Sequence, residues 1–230
     1  MLYSLLNVMA AMLLGAQVLL TLVLVKGDLC PGQRGRIHKV LPVLAILWLA
    51  VASLKIEAFL VVFALIYFYS QVQTKKTRQE GPLWALYLAN GLALAFVAVL
   101  AADALSWSGS LSLISQVFLL GAILGHLLLV QARSRLQAFH RLLPVLGIVS
   151  AMLMTLCLVP YTYQLDQAAL SQLMQPLLLS FSSLIIGILV WSWHLLLVKP
   201  VAKGQLLLAQ CLVLVAAAGF HHLYLYTLPT

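Results

Sequence analysis

Apolar residues run in eight long blocks along this chain, at about 4–25, 40–54, 57–73, 82–101, 110–131, 142–160, 172–198 and 204–226, and polar residues collect in the gaps. A helix that spans a bilayer needs about 20 mostly apolar residues. The blocks are continuous and rich in Leu and Ala. Strands of a transmembrane barrel would instead alternate over about ten residues each. The pattern therefore predicts an all-α, polytopic integral membrane bundle of eight transmembrane helices. The block at 40–54 is short and the turn Ser53–Glu57 is tight, so spans two and three are expected to tilt or to be partly re-entrant there. A count of seven spans, merging or losing one of them, would break the charge alternation described next.

Composition sharpens this picture. Of 230 residues, 64% are hydrophobic and 8% charged, against about 25% charged in a soluble domain. Too few charges remain to cover a soluble surface. The formal charge of +8 raises the question of nucleic acid, and its placement excludes that partner. Twelve of the thirteen basic residues fall in four clusters: Lys26/Arg34/Arg36/Lys39, Lys75/Lys76/Arg78, Arg133/Arg135/Arg141 and Lys199/Lys203. Each cluster follows an odd-numbered span. The loops after even-numbered spans carry Lys55, Glu57, Asp103 and Asp166. This is the positive-inside pattern; it predicts basic loops in the cytoplasm and both termini on the outer, periplasmic side of a bacterial inner membrane. Cys30, Cys157 and Cys211 are scattered, with no CxxC spacing, so neither a disulfide framework nor a cysteine zinc site is expected. The first block has no basic leader before it and reads as a retained helix.

The chain also repeats itself. Residues 37–46, IHKVLPVLAI, return at 139–148 as FHRLLPVLGI, with six of ten positions identical. The run Leu13–Ala16, LLGA, returns at Leu119–Ala122. Tyr67-x-Tyr69 precedes Lys75 as Trp191-x-Trp193 precedes Lys199, and these aromatics suit a membrane-interface belt. The repeats predict two copies of a four-helix module, residues 1–105 and 110–230. Four is an even number, so the copies are parallel and related by an axis along the membrane normal. Parallel repeats occur in transporters, and a site between the halves is expected.

Ionisable groups inside a bilayer are costly and point to function. Buried carboxylates are nearly absent, since Glu57 sits at the outer turn beside Lys55, and this lowers the expectation of ion-coupled transport. Histidines remain. His126 lies seven residues before Arg133, and His194 five before Lys199, on helices running the same way. At 1.5 Å per residue both imidazoles lie roughly 7–11 Å inside the basic boundary. Two imidazoles at one depth suit bis-His ligation of haem b. Arg133, Arg135 and Lys199 could neutralise its propionates, and Gly121 and Gly125 give close approach to a helix or a flat macrocycle. The plainer reading of His126 and His194 is interhelical hydrogen bonding. His38 and His140 anchor helix starts or line a cytoplasmic binding surface. His221 and His222 read as residues of the opposite interface. Asn7, Gln17, Thr21, Asn90, Gln116, Thr155, Ser180, Ser182, Ser183 and Gln210 bond between helices or line a narrow path.

The four-helix modules, each opening on His-Lys or His-Arg, loosely resemble the architecture of membrane b-type cytochromes. The paired-His ligand pattern of that class is not matched, and none of its residues is carried over. No nucleophile–base pair, phosphate loop or HExxH motif is present, and the loops are too short for a catalytic domain. Three functions follow as expectations. A small permease or transport-associated component would hold a polar cavity containing Asn90 or Ser183. A haem b electron-transfer protein would hold a macrocycle between His126 and His194. A non-catalytic assembly or scaffold subunit would have a filled interior and an apolar outer groove, with membrane proteins or copies of itself as partners.

Overall fold

The computed structural model describes residues 2–74, 81–104, 106–133, 137–197 and 201–226. Lys75, Lys76, Arg78, Arg135 and Lys199, named above for their charge, lie outside the described residues. Among the described residues the chain is helical, without strands: α1 (Leu2–Lys26), α2 (Pro31–His38), α3 (Leu41–Ala52), α4 (Phe59–Thr74), α5 (Leu83–Ala102), α6 (Trp107–Gln131), α7 (Gln137–Thr162), α8 (Gln167–Leu196) and α9 (Lys203–Tyr226). A single 3₁₀ turn, Ile56–Ala58, leads into α4. Among the described residues eight helical stretches are long and apolar enough to cross a membrane, with α2 and α3 together forming the second.

The second span shows why its apolar block looked short. At 12 residues, α3 is about 18 Å long, too short for a hydrocarbon core of about 30 Å. The polar run Pro31–His38 is also helical and completes the crossing. The break at Lys39–Val40 falls where Pro42 cannot donate to the carbonyl of His38 and its ring crowds that group. Two later starts carry side-chain caps. Ser106 caps α6 by accepting from the Gly109 amide at 3.1 Å, and Asp166 caps α8 by accepting from Ala169 at 2.8 Å.

Two helices form the centre. Both α1 and α6 are mostly buried, whereas α8 is the most exposed of the spans. They meet at Gly15 and Gly121, where a Cβ on Gly15 would fall 2.7 Å from the Cα of Gly121, and one on Gly121 would fall 2.6 Å from the Gly15 carbonyl carbon. Glycine is required here because two backbones occupy the space a side chain would need. Leu19 packs on Gly125 in the same register, so the two helices run parallel. Around them α1 packs with α3, α5 and α9, and α6 packs with α7, α9 and α5. Outer pairs are α3 with α4, α4 with α5, α7 with α8, and α8 with α9.

Among the described residues Lys26, Arg34, Arg36, Lys39, Arg133, Arg141 and Lys203 lie at one end of the bundle, called here the basic end. The opposite, far end carries Lys55, Asp103 and Asp166.

Candidate functional site

Three polar arrangements are built on this frame. The first lies in the first half. Trp48 on α3 is fully buried, and its Nε1–H donates to Gln17 Oε1 at 3.1 Å. Gln17 Nε2 donates to Asn90 Oδ1 at 2.9 Å, and Asn90 Nδ2 donates to Thr21 Oγ1 at 3.0 Å. Thr21 returns its proton to the Gln17 carbonyl at 2.9 Å. The circuit ties α1, α3 and α5 together. Each amide satisfies another, as buried polar groups must.

The second lies at the basic end of the second half. His126 and His194 converge there, with ring centroids 5.7 Å apart, and His140 joins them at 5.1 Å from His126. Trp191, fully buried, donates Nε1–H to His126 Nδ1 at 3.0 Å. That nitrogen must therefore accept, and a neutral His126 carries its proton on Nε2. Nε2 faces His140 Nδ1 at 2.9 Å. His194 Nδ1 lies 2.8 Å from the Trp191 carbonyl, and its Nε2 lies 3.2 Å from the His140 carbonyl. The latter carbonyl is available because Pro144, four residues on, has no N–H to offer it. Both nitrogens of His126 are thus engaged by the protein, and no lone pair of that ring is left for iron in this arrangement. Gly121 and Gly125 pack on α1, where a macrocycle was the alternative.

The remaining residues separate. His38 does not match His140: it is buried against Phe68, ring centroids 5.5 Å apart, and neither ring nitrogen has a hydrogen-bond partner among the described residues. His38 is therefore interior, whereas His140 is half-buried beside His126. Ser183 Oγ donates to the Leu212 carbonyl at 2.8 Å and joins α8 to α9. Trp191, read as an interface aromatic, is interior; its neighbour Trp193 is exposed. Gly147 explains the difference, since a Cβ there would strike the Trp191 ring, so α7 leaves room for that indole alone. Gln116 is fully buried with neither amide atom partnered.

The third arrangement is a cavity at the far end, about 70 Å³ in volume. Its wall includes Tyr3 and Asn7 of α1, Lys55 of the turn before α4, Asp103 at the end of α5, and Gly109, His221 and Tyr224 of α6 and α9. Asn7 Nδ2 donates to His221 Nε2 at 3.4 Å. A second cavity of about 190 Å³ lies between α7, α8 and α9 and is almost wholly apolar, lined by Leu158, Leu173, Met174 and Leu177 among others. Neither cavity is lined by Asn90 or Ser183.

The helices, their length and their apolar surfaces define a multi-pass integral membrane protein embedded in a lipid bilayer. Residues 4–218 match the model of an integral membrane domain family, and the chain belongs to that family. It is 33% identical over 148 residues to a Haemophilus influenzae protein whose name is "Uncharacterized protein", a match covering 58% of this chain and 54% of that relative. The chain thus spans about half the length of the curated relative it matches. No solved structure matches.

Proposed function

We infer that this protein is a small permease of a bacterial inner membrane, with both termini on the outer side and a solute path beginning between two parallel four-helix modules, 1–105 and 110–230. The observation that carries this reading is the far-end cavity, walled by α1, α5 and the Lys55 turn of one half and by α6 and α9 of the other. Parallel-repeat transporters place their sites between the halves.

Two features support the duplication. Exchanging each span of the first half for its counterpart in the second turns the set of packed helix pairs into itself: α1·α3 becomes α6·α7, α1·α5 becomes α6·α9, and α1·α9 becomes α5·α6. The glycines of the repeated LLGA runs are also the pair in contact. The orientation rests on the basic residues of the odd loops. Below the cavity the halves close, because Gly15 lies eight residues, about 12 Å, deeper than Asn7. This geometry suits a path open to the outer side and shut at mid-depth.

The test uses the full chain with Cys30, Cys157 and Cys211 replaced by serine and Asn7→Cys added. A membrane-impermeant maleimide labels Asn7→Cys in spheroplasts, and a panel of small radiolabelled solutes includes one that equilibrates across proteoliposomes only when the protein is present. Absence of both results removes the permease reading. The 190 Å³ apolar groove favours a second reading, an assembly subunit that seats an apolar partner segment; it gains ground if the same preparations show no uptake and a stable, stoichiometric complex. Haem b between His126 and His194 gains no support from rings whose nitrogens already bond to Trp191, His140 and backbone carbonyls.

A further inference from the structure

The far-end cavity has a composition that bounds what it can hold. Lys55 and Asp103 both line it, one from each end of the first half's last two spans. Neither is engaged in an ion pair with the other among the described residues. Charged residues make up only 8% of this chain, and two of opposite sign meet on one small cavity whose surface is otherwise largely apolar. Asn7 and His221 add an amide and an imidazole, while Leu100, Leu113 and Leu225 supply apolar surface. A single ion would satisfy one charge and be repelled by the other.

The volume sets a size. One water needs at least about 10–15 Å³ on the same measure, so a cavity of about 70 Å³ holds a few water-sized groups. Glycine and alanine are of this order, and so is the ethanolamine end of a phospholipid headgroup.

We propose that this cavity binds a small zwitterion, an ammonium against Asp103 and an anionic group against Lys55. The ligand is a free amino acid such as glycine or alanine, or the zwitterionic headgroup of a surrounding lipid; the two share one chemistry. Its identity as a transported solute rests on the permease reading, whereas the binding site does not.

The experiment is binding to the purified full chain in detergent, with glycine, alanine and O-phosphoethanolamine as probes and methylamine, acetate and leucine as controls. The wild type binds at least one zwitterion saturably. Methylamine and acetate, which each satisfy one wall, bind at least tenfold more weakly, and leucine, whose side chain adds three carbons to alanine, binds more weakly than alanine. Lys55→Gln and Asp103→Asn each weaken zwitterion binding tenfold or more while the unfolding temperature stays the same. Glycine or alanine binding assigns the free solute. Phosphoethanolamine binding alone, with phosphatidylethanolamine retained by the wild type and lost from both variants in native mass spectrometry, assigns the headgroup. No saturable zwitterion binding, or binding indifferent to both variants, overturns the proposal. Uptake separates it from the permease reading: zwitterion binding with neither Asn7→Cys labelling nor uptake of any solute leaves the site and removes the permease, and uptake of another solute without zwitterion binding does the reverse.

Discussion

His140 is joined to two different partners through two different atoms. Its ring faces His126, and its carbonyl is taken by His194 because Pro144 cannot. The second link can be tested by a double-mutant cycle. His194→Phe alone leaves the His140 carbonyl unpaired. In a Pro144→Ala background the new backbone amide can satisfy that carbonyl, so His194→Phe should cost less there, by about 0.5 kcal/mol or more, the range seen for coupled neighbours. Equal costs in both backgrounds would show that the proline and the histidine act independently. Trp191→Phe removes the one N–H offered to His126 Nδ1. Hydrogen bonds between membrane helices are worth about 0.6 kcal/mol on average and up to about 1.7. The loss should fall in that range in reversible unfolding in bilayers or mixed micelles. Gln17→Leu breaks a circuit with several members and should cost at least as much as Trp191→Phe.

At the scale of elements, glycine decides where helices approach. Gly15→Val would push a branched side chain into Val117 and Gly121 of α6. Overpacking of this kind costs about 1–3 kcal/mol, so this variant should unfold at a clearly lower temperature, whereas Gly91→Val, whose added Cβ meets nothing within 4 Å, should not. Much of the element map was legible in the sequence. Apolar blocks gave eight spans because a bilayer demands long continuous hydrophobicity. The ends of helices were less legible. Polar helical turns such as Pro31–His38 and Gln137–Arg141 lie at the interface, where hydropathy does not distinguish helix from loop. For that reason His140 was placed before its span, and its meeting with His126 was not foreseen. Depth counted from the basic residues did bring His126 and His194 to one level. Trp191 gave no such signal, since an interface aromatic and a buried one have the same spelling; the space beside Gly147 settles it. The cavity joining Lys55 to Asp103 depends on tertiary packing between residues far apart in the chain.

At the scale of the whole molecule, the charge asymmetry makes a prediction about orientation. Alkaline phosphatase fused after residue 226 should be active, and green fluorescent protein at the same place should be dark. A fusion within the loop after α6 should give the opposite pair. The reverse result would invert the bundle and place the Lys55–Asp103 cavity on the inner face. The contact at Gly15 and Gly121 carries one more consequence. It joins the two halves backbone to backbone near the middle of α1, with about 20 Å of helix on one side and about 17 Å on the other. Any tilt of the halves about this contact would have nearly equal arms. A relative tilt of about 10° across it would move the two ends by about 3 Å in opposite senses, so that widening one mouth narrows the other. A see-saw of this shape needs no long loops and no separate hinge domain, and its smallness is set by two missing side chains.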